Sequence, residues 1–375
     1  MLRINSYSER IVFFAIIILV LFETSIIYAA PPVAEIRTIF SQKALNPPPP
    51  ELLKALDAEH INTCLQEIDP YARYVPPKLS STSSSLPLRL GIDVFEYKSH
   101  LWVRREPGGP ASKVGIPEIS ELQAINNKSV RYDGLAQVLT QLDKAVRKRK
   151  VTLTVSRRLG EEGKAYTVKP STFYTPSIEW HRSANYIVIR INDFVAHDTA
   201  PTLSALYTTL VKARTPVIID LRGCPGGDLY EAIGIAGMFV PAKLSLISTS
   251  DRLGNVKSYQ APPGKKLPHP TFLLIDNRTA SSAEFFSGIL QHHHLTRLVG
   301  ERSYGKCVSQ TILPLSDGSS LWLTTLSVRF PGNMPCTEKG ITPDIPYPDI
   351  TIAKTDDIIK KLPLRHRHHI NNQHN

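Results

Sequence analysis

Residues 276–287, DNRTASSAEFFS, carry four hydroxyls (Thr279, Ser281, Ser282 and Ser287) and follow an apolar run, TFLLI. The pattern predicts a strand, a turn and a helix, with Ser281 near the helix N-terminus. Unpaired backbone N–H groups and the positive end of the helix dipole gather there, which suits a nucleophile whose reaction passes through an oxyanion. Ser281 with Glu284 three residues later is also a capping-box signature, and on this stretch alone capping is the simpler reading. A nucleophilic hydroxyl needs a base. His292, His293 and His294 fall about three turns along the same helix, about 16 Å from its start by helical rise, and cannot serve. A Ser-x-x-Lys arrangement is excluded because Glu284 stands at that position. What remains is a lysine from another element. GERSYGKCVSQ supplies Lys306, followed four residues later by Gln310.

The elements that must position these residues begin after an export signal. Arg3 and Arg10 precede a 12-residue apolar run, IVFFAIIILVLF, and ETSIIYAA ends in small residues, so cleavage is expected near Ala29 or Ala30. The other reading is an uncleaved anchor, but a span of about 20 residues would bury Glu23. Either way the chain is expected to be exported, to a periplasm or cell envelope, with membrane association through the N-terminus in the anchored case. The formal charge of +11 is dispersed apart from KAVRKRK (144–150) and the tail. No nucleic-acid motif accompanies it, so it reads as a solvated face attracted to anionic envelope surfaces, with no nucleic-acid partner. The spacing of Cys64, Cys224, Cys307 and Cys336 fits no zinc pattern, and no metal site or cofactor is expected.

With 42% apolar and 21% charged residues, the 375-residue chain is globular and long enough for two or three domains. The expected fold is a multidomain α/β arrangement. Residues 1–30 are the signal, and 31–80 form a short helical region in which PPVAEIRTIF and PELLKALDAEHINTCLQEI are two amphipathic helices. Residues 72–87 are a linker. The next segment, 87–170, is strand-rich: RLGIDVFEY, HLWVRRE and ELQAINNKSV read as strands, GLAQVLTQLDKAV as a helix and KVTLTVSRR as the closing strand. Residues 171–352 alternate strands and helices (NYIVIRINDF, TAPTLSALYTTLVKA, PVIIDLRG, LYEAIGIAGMFV, TFLLID, SSAEFFSGILQHHH, RLVGE) before a β-rich end, which argues a layered α/β core on a largely parallel sheet. Residues 353–375 read as a basic, His-rich disordered tail.

TASSAE and GKCVSQ, with Lys306 25 positions after Ser281, resemble the motifs of the C-terminal processing peptidases, or tail-specific proteases. DLRGCPGG (220–227), IDPYARY (68–74) and GITPDI (340–345) match further motifs of that family in the same order, and the similarity covers roughly residues 35–350. The resemblance implies a serine endopeptidase with Ser281 as nucleophile, Lys306 as general base and Gln310 orienting the lysine. It implies an oxyanion hole from the N–H of Ser282 and of a glycine of the PGG turn, Gly227 by spacing or Gly226. Free lysine titrates at about 10.4, so Lys306 must be desolvated to act as a base. On one strand, Lys306 and Gln310 would face the same way. Residues 87–170 take the place of the family's PDZ domain. The loop Leu90, Gly91, Ile92 and Asp93 would hold a peptide's terminal carboxylate, so the expected partners are protein substrates with C-terminal tails. The resemblance also leaves room for an activating or adaptor protein.

The sequence departs from the family pattern at five places. Ser282-Ala283 exchanges two small residues, Asp93 replaces a glycine, VGIPEISELQAIN lacks the usual Pro-Gly-Asp turn, Cys224 stands where asparagine is usual, and Cys307 where glycine is usual. Cys307 paired with Cys224 or Cys336 would shape the cleft; the competing expectation is buried, free, inert thiols. Two further readings stand beside the protease: a catalytically silent PDZ-bearing adaptor that binds tails or regulates another protease, and Ser281 as a helix cap and nothing more.

Overall fold

The structure, a computed structural model, describes residues 30–77, 88–211, 215–331 and 339–362. Most of the expected signal, most of the 72–87 linker, Cys336 and the end of the tail lie outside them. Among the described residues, no helix is long and apolar enough to cross a membrane. The chain divides into two compact units, residues 1–79 with 310–324, and residues 80–309 with 325–375.

The smaller unit opens with α1 (Val33–Lys43), α2 (Pro50–Lys54), α3 (Ile61–Ile68) and the short strand β1 (Arg73–Val75). The helix expected over 50–68 is two helices. Asp57 accepts the N–H groups of Glu59 and His60 and meets the His60 ring at 2.7 Å, a local turn that outcompetes the helical ladder. The core gathers Ile36 and Phe40 from α1, Leu65 from α3, and Leu321 and Leu323 from a later strand. Asp69, in IDPYARY, accepts the N–H and hydroxyl of Thr324 at 3.0 and 3.1 Å, and β1 pairs antiparallel with Ser320–Trp322.

The larger unit begins with an antiparallel sheet. Its elements are β2 (Ile92–Tyr97), β3 (His100–Arg105), α4 (Pro110–Lys113), β4 (Ile119–Ile125), β5 (Lys128–Ser129), α5 (Leu135–Arg147), β6 (Val151–Ser156) and β7 (Lys164–Val168). The order is β2-β3-β4-β6-β7, with β5 folded back on β4. Asn126 and Asn127, at φ 50° and 65°, make the tight turn between β4 and β5 that such left-handed positions favour. Helix α5 buries Val138, Leu142 and Ala145, spaced four and three residues apart on one face. KVTLTVSRR is not the closing strand, because β7 pairs beyond it. Only Val168 of that edge strand is buried, so its hydrophobic pattern is weak.

The chain continues with β8 (Ile178–Ser183), β9 (Tyr186–Ile191), α6 (Thr199–Leu210), β10 (Val217–Asp220), α7 (Leu229–Gly237), β11 (Ser245–Ser250), β12 (Val256–Gln260), β13 (Phe272–Ile275), α8 (Ser282–His292), β14 (Arg297–Gly300), β15 (Val308–Pro314), β16 (Ser320–Arg329), β17 (Ile345–Pro346) and α9 (Thr355–Lys361). The division between the units falls inside β15 and β16. The main sheet runs β17-β14-β13-β10-β9-β8, parallel except for β8. Every residue of β10 and β13 is buried, as central strands covered on both faces require. One face packs on α6, α7 and α8, and the other on Ile350, Ile358 and Ile359. The expected disordered tail is therefore corrected at its start. Residues 355–361 form α9 because Ile358 and Ile359 have a sheet face to cover.

Asp220 and Arg222 lock the end of β10. Arg222, fully buried, gives Nε and Nη2 to the two Asp220 oxygens (2.9 and 2.7 Å), Nη1 to the carbonyls of Ile350 and Ala353, and Nη2 also to Thr355. Burial alone would push the Asp220 carboxyl up, but the Arg222 and Arg190 guanidiniums hold it well below the ordinary range. A depressed carboxyl stabilises the fold above its unfolded value of about 3.9, and that contribution is lost as pH falls through the folded value. Thermal melts of the intact protein are expected to fall steeply below about pH 4. A melting temperature unchanged between pH 5 and pH 2 would show that the pair contributes nothing.

Candidate active site

Strands β10, β13 and β14 are parallel neighbours in register (Asp220 beside Leu274, Ile275 beside Gly300), so the loops that follow them leave the sheet at one edge. Ligands of open α/β sheets gather at this carboxyl edge. The first loop, LRGCPGGD, leads to α7; the second, DNRTA, leads to α8; the third carries Ser303 to Lys306. The first two are bolted together. The Asp276 carboxylate accepts the N–H of Gly223 at 2.8 Å, Thr279 donates its hydroxyl to the Leu221 carbonyl, and Ala280 N–H donates to the Cys224 carbonyl.

This framework sorts the four hydroxyls. Thr279 serves the Leu221 carbonyl, Ser282 the Gly227 carbonyl at 2.9 Å, and Ser287 the Ala283 carbonyl one turn back in the helix. Ser281 occupies the N-cap with φ 53° and ψ −122°, a conformation that is costly for a residue with a Cβ. An ordinary cap sits in the extended region, so capping alone does not explain this backbone.

Glu284 holds the strained serine in place. It is fully buried, and its carboxylate accepts Ser281 N–H (2.9 Å), the Ser303 hydroxyl (2.5 Å), Gly305 N–H (2.7 Å) and Lys306 N–H (2.8 Å). One side chain thus fixes the main chain of both Ser281 and Lys306. Burial raises the Glu284 carboxyl, and these four donors work against that rise. Ser303 is held in turn by the GITPDI segment, whose Ile341 N–H donates to its hydroxyl at 2.6 Å. The sequence marked Glu284 only as a capping residue. Its reach to 303–306 is a tertiary fact with no local signal.

The glycines of the PGG turn are set by close approach. A Cβ on Gly226 (φ 106°) would lie 2.8 Å from Ser281 Cβ and 2.9 Å from Ser282 N, and one on Gly227 (φ 132°) 2.3 Å from the Phe194 carbonyl oxygen. Gly226 turns its N–H toward the Cys224 sulfur, while burial pushes that free thiol up to about 12.

Three expectations change on contact with the structure. Lys306 is not on the strand with Gln310: β15 starts at Val308, and Gly305 and Lys306 spend their N–H groups on Glu284, so the alternation argument does not apply. Within the smaller unit, the Gln310 amide donates to the Tyr71 carbonyl at 2.6 Å. Cys307 is disulfide-bonded and Cys224 is a free thiol, which excludes a bond between them and corrects the expectation that all the thiols are free.

The segment Leu90 to Asp93 sits at the start of the antiparallel sheet. The Leu90 carbonyl accepts Ala111 N–H, the Gly91 carbonyl accepts Glu106 N–H, and Asp93 forms a 2.6 Å ion pair with Arg278 of the turn before Ser281. The Asp93 carboxylate is thus directed at Arg278.

Residues 185–347 match Peptidase family S41. A probable CtpA-like serine protease of Staphylococcus epidermidis is 30% identical over 242 residues, which is 63% of this chain and 48% of that protein. A counterpart in Staphylococcus aureus is 26% identical over 250 residues, 64% of this chain and 48% of its own length. The chain thus matches about half the length of these relatives. Two solved structures share the fold: a photosystem II D1 C-terminal processing protease (TM-score 0.58, 19% identity, 84% of this chain and 92% of that one) and a putative S41 protease from Bacteroides fragilis (TM-score 0.60, 16% identity, 84% and 90%).

Proposed function

We propose that this chain, which carries a Peptidase family S41 domain, is an exported serine endopeptidase that cuts near the C-terminal tails of envelope or secreted proteins. The observation that carries the reading is the Glu284 carboxylate, which binds the main chain of Ser281 and Lys306 together. Ser281 Oγ attacks the scissile carbonyl and passes its proton to neutral Lys306. The tetrahedral oxyanion accepts the N–H groups of Ser282 and Gly227, the geometry favouring Gly227 because Gly226 N–H faces Cys224. Lys306 then protonates the leaving amine, and water activated by the same lysine hydrolyses the acyl-enzyme. The family pattern assigns Gln310 the orientation of Lys306. The sheet β2-β3-β4-β6-β7 is read as a PDZ domain that takes up the tail.

The test is cleavage by the intact protein of a substrate protein with an apolar tail, alongside the same substrate with its terminal carboxylate amidated. Cleavage of the first, slowed about tenfold by amidation, is expected from the loss of one charge-assisted contact. Tail binding without cleavage would favour the silent adaptor.

A further inference from the structure

One end of the sheet β2-β3-β4-β6-β7 gathers basic residues from three turns. Lys128 opens β5 opposite Ile125, directly after the Asn126–Asn127 turn. Asn126 donates its N–H to the Thr152 carbonyl at 2.8 Å and accepts the Thr152 N–H on its side chain at 2.9 Å, which pins that turn to the start of β6. Lys148, Arg149 and Lys150 connect α5 to β6. Val151 lies opposite Val168, so Lys150 and Lys169, the next residues outward, leave this end of the sheet side by side. Lys144 and Arg147 join them from the last turn of α5, and all these cations are exposed.

Their charge is almost unopposed. Arg147 pairs with Asp143 at 2.9 Å, but both side chains are largely in water, where such a pair contributes little. Among the described residues, Lys128, Lys144, Lys148, Arg149, Lys150 and Lys169 form no ion pair. Asp133 accepts the Gln141 amide at 2.7 Å. Glu161 and Glu162 belong to the β6–β7 connection, at the opposite end of those strands. The negative end of the α5 dipole accounts for Lys144, Arg147 and Lys148. It does not account for Lys128, Lys150 or Lys169, and like charges side by side on neighbouring strands cost stability. A discrete anion needs donors that converge on one point. These charges are spread over separate turns, which matches a broad sheet of negative charge.

We propose that this end of the sheet docks on an anionic lipid surface, its lysines and arginines facing the headgroup phosphates. Each Lys or Arg held near such a surface strengthens binding about fivefold. Docking of this kind uses no catalytic residue and stands apart from peptide cleavage.

The experiment measures co-sedimentation of the intact protein with vesicles of phosphatidylcholine alone and of equal parts phosphatidylcholine and phosphatidylglycerol. The N-terminal apolar run is present in every arm and cancels in the comparison. Tighter binding to the mixed vesicles, weakening as sodium chloride is raised, is expected because salt screens exposed charges. Lys128→Gln, Lys150→Gln and Lys169→Gln combined should weaken that binding about a hundredfold. The same variant should melt no earlier than the parent, because it removes opposed like charges. Arg157→Gln, Arg158→Gln and Lys164→Gln remove equal charge at the far end of β6 and β7, about 20 Å away by strand rise and beyond the screening length of about 8 Å. This control should bind within about threefold of the parent. Should the first combination not fold, its single substitutions carry the comparison at about fivefold each. Equal losses in both combinations would show that net charge alone acts and would overturn the inference, as would equal binding to the two vesicle types or parent-like binding by the first combination. Loss of retention on immobilised heparin with unchanged vesicle binding would assign this end to a soluble polyanion and overturn it as well.

Discussion

Ser281→Ala is expected to leave a folded protein whose cleavage rate is down by about 10⁴-fold or more, the scale at which activated serine nucleophiles fail when removed. The loss of stability should be no more than about 1 kcal/mol, the value of a cap. Lys306→Ala should lose activity to a similar degree, and the double variant little more, because the two groups act as one unit. Ser281→Gly separates the roles further. Glycine accepts φ 53° without strain, so this variant should be inactive yet as stable as the parent or more so. Peptide cleavage and urea melts on the same samples check this. Full activity in Ser281→Ala, with only a small stability change, would leave the serine as a cap.

Glu284→Ala is expected to produce the largest combined loss. Four donors converge on this carboxylate, and in the variant they stay buried without an acceptor. Removing a buried, charged hydrogen-bond hub costs about 3–5 kcal/mol. The main chain at Ser281 would relax from its left-handed conformation, and the Lys306 segment would lose its anchor, so cleavage should fall with stability. Glu284→Gln tests the charge separately. It keeps the shape but offers an amide N–H₂ to a surrounding of donors, so it too should melt earlier and cleave more slowly than the parent. Denaturant melts and cleavage rates of both variants check this; parent-like values in Glu284→Ala would remove the hub from the account.

The elements nearest the chemistry were the most legible in the sequence. VIID and FLLI are continuous apolar runs because β10 and β13 are covered on both faces, and Ser281 with Glu284 marked the start of α8. Strands with one wet face or an outer position carry little such signal. In β8 only Ile178 is buried, in β7 only Val168, and β12 has no buried residue. Helix α9 was hidden within a basic tail, since two isoleucines carry its whole hydrophobic signal. Lys306 could be found by exclusion. Its position off the strand could not, because the main-chain partners of 305–306 come from Glu284, more than twenty residues earlier. The Asp93–Arg278 and Arg104–Arg222 contacts span longer separations still, and charges that pair across a fold leave no periodicity to read.

The most direct test of the central claim is rapid-quench mass spectrometry of the intact protein during cleavage of a tail-bearing substrate. The account predicts a transient acyl adduct that maps, after digestion, to Ser281 and is absent from Ser281→Ala. Steady cleavage with the adduct on another residue, or with Ser281→Ala as fast as the parent, would contradict it.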